Sequence, residues 1–205
     1  MKMKLLHIDS SILGEHSVSR KLSSAIVDKL KTINNDLDII YHDLSLTHIP
    51  HLTGEHMSVF RGYSYPGEIL KQDIDAGKRY VEELFNADYI VLGVPMYNLS
   101  IPSVLKVWID RVVVPDVTFS HTASGLKGLL PPGKKLFIAS SRGGIYTNGG
   151  ELSSLDYQEK YILSILGSIG LTDSTVIRAE GISYGEEVSR ESTSKALKLI
   201  SEIRL

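Results

Sequence analysis

Apolar positions along the chain repeat with two periods, one of strands and one of helices, and the two alternate from end to end. Residues 4–9 form a short apolar run around Leu5, Leu6 and Ile8. A polar stretch over 10–19 then enters a segment where Leu22, Ile26, Leu30 and Ile33 recur at spacings of four, four and three, one face of a helix. Residues 37–42 predict a second strand. The stretch 44–67, with Pro50, Gly54, Gly62, Pro66 and Gly67, predicts a long irregular loop of the kind that usually carries function. Leu70, Ile74, Val81 and Leu84 predict a helix over 68–85, weakened by Gly77. Residues 88–94 are too uniformly apolar for a strand with one wet face and belong at the centre of a sheet covered on both sides.

Pro95 ends that strand, and helical spacing resumes after Ser100, with Pro102 tolerated in the first turn and Val104, Val107, Trp108 and Val112 as its buried stripe. Residues 135–140 predict another strand before a loop holding Gly143, Gly144, Gly149 and Gly150. Residues 155–166 predict a helix, 173–179 a strand and 186–203 a closing amphipathic helix. Five strands alternating with helices give an α/β fold: a doubly wound parallel sheet in one domain over 1–205. Ligands of such sheets sit beyond the carboxyl ends of the strands, which directs attention to the loops after residues 9, 94 and 140.

Composition narrows the function classes. With 22 Lys+Arg against 24 Asp+Glu, the formal net charge of -2 offers no general attraction to nucleic acid or to an acidic membrane. The absence of cysteine excludes disulfides, thiolate metal sites and a cysteine nucleophile. The basic start at Lys2 and Lys4 is followed by His7 and Asp9, too soon for a signal peptide, and no apolar run reaches the about 18–20 residues of a membrane span. A cytoplasmic protein is the expectation.

Several motifs fail. No G-x-G-x-x-G follows the first strand. The segment GLLPPGKK over 128–135 approaches a P-loop, yet it ends in lysine, carries two prolines and precedes a strand. His48, His51 and His56 read as surface histidines without carboxylate partners at metal-site spacing, and no G-x-S-x-G elbow surrounds Ser141, which argues against a hydrolase. Three loops survive. The turn from Ser10 and Ser11 to Ser17, Val18, Ser19 and Arg20 can bind a phosphate through hydroxyls and helix N-terminal amides; equally, Ser17 can be a plain N-cap with Ser10 and Ser11 as turn residues. Pro95, Met96, Tyr97 and Asn98 can line a flat heterocycle, or Met96 and Tyr97 can pack in the core. Ser141, Arg142, Gly143 and Gly144 can let backbone approach a ligand, or form an ordinary turn. Together at one crevice they favour a mononucleotide.

The hydroxyl loop ending S-V-S-R, the P-M-Y-N loop, the I-P-S-V-L-K-V-W-I-D helix, V-T-F at 117–119, S-R-G-G at 141–144 and A-E-G-I-S-Y-G at 179–185 resemble the FMN-dependent NADH:quinone oxidoreductase and azoreductase family through nearly the whole chain. The resemblance implies a flavodoxin-like sheet of order 2-1-3-4-5 and a homodimer with one non-covalent FMN per subunit at interface sites. It implies Ser11, Ser17, Val18 and Ser19 on the phosphate, and Pro95, Met96, Tyr97, Asn98 and Leu99 along the ring. Ser141, Arg142, Gly143 and Gly144 would lie at the pyrimidine side, with Phe119 in the substrate pocket. The stretches 53–67 and 124–133 depart from the family pattern. The expected activity is ping-pong, two-electron reduction of a quinone or azo acceptor by NADH or NADPH, with the flavin carrying the chemistry and no catalytic side chain or metal. The alternative is a flavodoxin-type single-electron carrier serving protein partners.

Overall fold

The computed structural model describes residues 2–205. Its main sheet has five parallel strands: β1 (Met3–Asp9), β2 (Leu37–Asp43), β3 (Tyr89–Pro95), β6 (Lys135–Ser141) and β7 (Asp173–Ala179), in the spatial order β2-β1-β3-β6-β7. Counting only these strands, this is the expected 2-1-3-4-5. The two numbers skipped belong to a short antiparallel hairpin, β4 (Phe119–Thr122) and β5 (Gly125–Gly128), which the hydrophobic pattern does not predict.

All seven residues of β3 are buried, as its unbroken apolar run requires of a central strand. Successive side chains point to opposite faces. Ile90, Leu92 and Val94 enter one core with α3 (Glu68–Asn86), α4 (Ser103–Val112) and α5 (Tyr157–Ser168). Tyr89 and Val91 enter the other with α1 (Val18–Ile33) and α6 (Glu186–Ser201). Leu22, Ile26 and Leu30 form the buried stripe of α1, while Ile33 at its last turn emerges into solvent. Trp108 on α4 is fully enclosed, so its truncation to alanine would cost about 3–5 kcal/mol.

Four details differ from the sequence expectation. The stretch 44–67 is not wholly irregular, because α2 (Gly54–Phe60) forms within it, started by a capping box in which Thr53 receives the His56 amide and the His56 ring accepts from the Thr53 amide. His56 is therefore not a surface histidine: it is buried, with Nε2 2.7 Å from Asp73, whereas His48 and His51 are exposed. Pro102 is the N-cap of α4 and stands just outside its first turn, and α5 begins at Tyr157 because Asp156 caps it by accepting from the Glu159 amide. The P-loop-like lysines have structural partners. Lys134 donates to the carbonyls of Phe85 and Ala87 at the end of α3, and burial lowers its pKa; Lys135 pairs with Asp173.

The register brings the strands to a common finishing line. Asp9 lies opposite both Asp43 and Gly93, Pro95 opposite Ser141, and Ser141 opposite Ala179. The loops that leave these residues start side by side.

Candidate functional site

The loop after β1 is drawn against β3 because Ser10 donates to the Gly93 carbonyl through both its amide (3.2 Å) and its hydroxyl (2.7 Å). Only glycine fits at 93: a Cβ there would stand 2.1 Å from an oxygen of Asp9, which is buried and accepts from Ser23 and from the Tyr41 hydroxyl. Burial, then Asp9 and Asp43, push the Tyr41 phenol up to about 12, so it stays a donor.

Arg20, one turn into α1, fastens the loop from the other side. Its guanidinium grips the Ser11 carbonyl at 2.7 and 3.2 Å, Asp43 at 2.6 Å and Ser45 at 3.0 Å. The hydrogen bond to Asp43 raises the arginine further. Burial pushes the Asp43 carboxyl up, but the bonds from Arg20 and Ser45 outweigh it and hold the group below the ordinary range.

Between these fastenings lies the start of α1. Ser17 is its N-cap and accepts from the Arg20 amide at 3.3 Å; the buried hydroxyls of Ser17 and Ser19 stand 3.1 Å apart. The N-cap reading of Ser17 therefore holds, and it leaves the neighbouring amides free. Val18 and Ser19 lie in the first turn, where no carbonyl of the helix can reach them.

After β3 the chain makes a tight turn closed by paired bonds between Tyr97 and Ser100 at 2.9 and 3.0 Å, with Asn98 (φ 47°) and Leu99 (φ 68°) both in the left-handed region. Side-chain-bearing residues are rarely held there, and such strain gathers at functional sites. Met96 and Tyr97 are half-buried, with faces left uncovered. The Tyr97 hydroxyl ties this turn to the first loop, 3.2 Å from both the Ser11 hydroxyl and the Ile12 amide, and the Met96 amide donates to the Ser141 carbonyl at 2.8 Å.

The third loop lies against residues 181–183. Ile182 donates to the Arg142 carbonyl at 3.1 Å, Ser183 to that of Gly143 at 3.0 Å and Gly181 to that of Gly144 at 2.9 Å. A Cβ on Gly143 would stand 2.7 Å from the Ser183 hydroxyl, so the missing side chain serves this close approach. Among the described residues, the amides of Val18, Ser19, Asn98, Leu99, Gly143 and Gly144 have no acceptor. Three loops thus present unpaired donors along one edge of the sheet.

The Arg142 side chain turns away from the loop edge at which the sequence places the residue. The residue is 1% exposed, and its guanidinium is enclosed by Asp156 (2.9 Å), Glu159 (2.6 Å), Glu180 (3.3 Å) and Gln158 (2.9 Å). Only its main chain belongs to the loop edge. Phe119 begins β4, half-buried against the α4 and α5 core and 5.5 Å from the His121 ring; no hydrogen bond or ring contact joins it to the three loops. A concavity of about 950 Å³ lies between α2 and α3 around Thr53, Tyr65 and Asp73, apart from the strand ends, and one of about 530 Å³ flanks the turn at Tyr97 and Asn98.

Comparison with known proteins agrees with the fold. A family model described as a flavodoxin-like fold matches residues 3–203. The FMN-dependent NADH:quinone oxidoreductase of Rhizobium meliloti (strain 1021) is 46% identical over 200 residues, spanning 98% of this chain and 96% of that protein. The protein of the same name from Sinorhizobium medicae (strain WSM419) is 44% identical with the same coverage. Among solved structures, an azoreductase from Bacillus anthracis str. Sterne superposes with a TM-score of 0.84 at 25% identity, covering 98% of this chain and 100% of that one. The chain belongs to the flavodoxin-like family that includes the FMN-dependent NADH:quinone oxidoreductases.

Proposed function

We propose that the protein binds FMN at the strand ends and uses NADH or NADPH to reduce quinones and aromatic azo compounds. The observation that carries this reading is the row of six amides without acceptors on three adjoining loops, in a chain 46% identical to an FMN-dependent NADH:quinone oxidoreductase. FMN has a phosphate at one end and a flat tricycle with a polar edge at the other. The donor set fits both ends: hydroxyls of Ser17 and Ser19 beside the free amides of Val18 and Ser19 for an anion, and Met96 and Tyr97 next to the Asn98, Leu99, Gly143 and Gly144 amides for a ring.

When bound, FMN supplies two-electron transfer from the nicotinamide to the acceptor. The chain's own part is to bind and orient. Ser11, Ser17, Val18 and Ser19 hold the phosphate end, and Pro95 to Leu99 line the ring. The Gly143 and Gly144 amides direct donors at the ring's polar edge, where they stabilise negative charge, while Ser141 and Arg142 carry that loop, the Arg142 amide being taken up by the Ala179 carbonyl. No side chain acts as a nucleophile. The test is direct: purified protein given FMN should retain a yellow chromophore through gel filtration and oxidise NADH when a benzoquinone is added. Protein that ignores FMN, or that binds it without quinone-dependent NADH loss, would overturn the reading.

A homodimer with its sites at the interface is part of the proposal. Phe60 is 54% exposed, Tyr63 78%, Tyr65 99% and Ile69 86%, so one short stretch of chain leaves several large apolar side chains uncovered, as surfaces that make contacts do. Phe119, separate from the loops of its own chain, is the substrate-pocket residue such an interface would bring in. Light scattering at micromolar concentration should give twice the chain mass, and a monomer with full activity would refute shared sites.

A further inference from the structure

We propose that four consecutive residues, Asp156, Tyr157, Gln158 and Glu159, form with Arg142 a clamp that positions the two ring-facing loops. Asp156 accepts from Arg142 at 2.9 Å. The Tyr157 amide donates to the Leu99 carbonyl at 3.2 Å, reaching the strained turn after β3. Gln158 works in both directions: Nε2 donates to the Val94 carbonyl at 2.9 Å, just ahead of Pro95, while Oε1 accepts from Arg142 and from Ser140, each at 2.9 Å. Glu159 accepts from Arg142 at 2.6 Å and from Arg178 at 2.7 Å.

The network continues beyond the third loop. Glu180 accepts from Arg142 at 3.3 Å, from the Tyr146 amide at 2.9 Å and from the Thr147 hydroxyl. Gly143 and Gly144 are thus spanned between Arg142 and Tyr146, held at both ends with their own amides free. The strands do not need this network to pair, because β3 and β6 are already joined residue by residue up to Pro95 and Ser141. Its contacts fall at and beyond their ends, where the loops begin. Arg142 and Gln158 are 1% exposed, so a donor or acceptor removed here leaves a partner that water does not satisfy. These are positioning residues: they act on the loops and not on a ligand.

Gln158 permits a test resolved by loop. Gln158→Leu removes both contacts. Gln158→Glu keeps an acceptor for Arg142 and Ser140 but loses the donor to Val94. In the full chain, with and without added FMN, Gln158→Leu should speed exchange about tenfold at the hydrogen-bonded amides of both segments, Met96 and Tyr97 in 96–99 and Arg142 and Tyr146 in 142–147, whereas Gln158→Glu should do so at Met96 and Tyr97 alone. Leu30→Ala, in the core at the far end of α1, supplies a destabilised control that should leave both segments unchanged relative to the rest of the chain. If Gln158→Leu fails to fold, the one-sided response of Gln158→Glu decides alone. Equal responses of the two loops to Gln158→Glu, no response, or the same pattern in Leu30→Ala would overturn the clamp. The consequence for cofactor binding rests on the proposed function: both Gln158 variants should weaken FMN about tenfold. Wild-type protein that binds no FMN would sink the function, while the exchange pattern would still judge the clamp.

Discussion

Ser17 and Ser19 illustrate how one residue type divides its labour. The Ser17 hydroxyl caps α1, so Ser17→Ala should cost about 1 kcal/mol of stability whatever it does to a ligand. Ser19 lies inside the first turn with its hydroxyl against Ser17 and caps nothing. Ser19→Ala is therefore the cleaner probe. It should lower FMN affinity about tenfold or more, as loss of a hydrogen bond to a charged group implies, with a smaller loss of stability than Ser17→Ala. Fluorescence titration with FMN beside urea unfolding checks both, and unchanged affinity would return Ser19 to ordinary packing. The N-cap role of Ser17 was legible in the sequence because it is local. Arg142 was legible as a loop residue, but the destination of its guanidinium was not: Asp156 and Glu180 lie 14 and 38 positions away, and no spacing rule links them to it. The same holds for Arg20, whose grip on Asp43 crosses 23 positions, and for Gln158, whose bond to Val94 crosses 64.

At the scale of elements, the strongly periodic helices and the apolar strands of the sheet were readable, while the hairpin and α2 were not. β4 and β5 have four residues each and are mostly exposed, so they carry neither alternation nor an apolar run. α2 is seven residues long and uses histidine where a capping box ordinarily shows Glu or Gln. The hairpin is nevertheless fixed tightly to the main body. A Cβ on Gly128 would stand 2.3 Å from the Gly170 amide nitrogen and 2.5 Å from the Ile169 carbonyl carbon, main-chain atoms that cannot swing aside. Gly128→Ala should cost about 2–3 kcal/mol by overpacking. Gly167→Ala, on α5 with open space around it, should gain about 0.5–1 kcal/mol from helix propensity. Urea midpoints that move in the same direction for both would contradict this account of the α5 and β7 junction.

For the whole molecule, the charge buried around Arg142 couples stability to pH. Burial alone would raise Glu159, but the hydrogen bond and charge of Arg178, with Arg142, outweigh it and hold the carboxyl below its ordinary value. Such a group contributes stability in full above the unfolded carboxylate value of about 4.3 and loses it as pH falls through that value towards the folded one. Glu159→Gln should therefore cost about 2 kcal/mol at neutral pH, and the gap from wild type should close as pH drops from about 5 to about 3. Urea titrations across that range measure it, and a gap independent of pH would assign the loss to packing.

The turn at Asn98 and Leu99 has a consequence in time. Each residue is held at an expense of about 1–3 kcal/mol in a conformation it would leave if released, and the bonds from Tyr97, Ser100 and Tyr157 prevent that release. The work of bending this backbone is done once, during folding, and is not repeated at each encounter. A molecule arriving at the strand ends meets amides already set in place, so its capture is governed by how often it collides with that edge and not by how long the chain takes to rearrange.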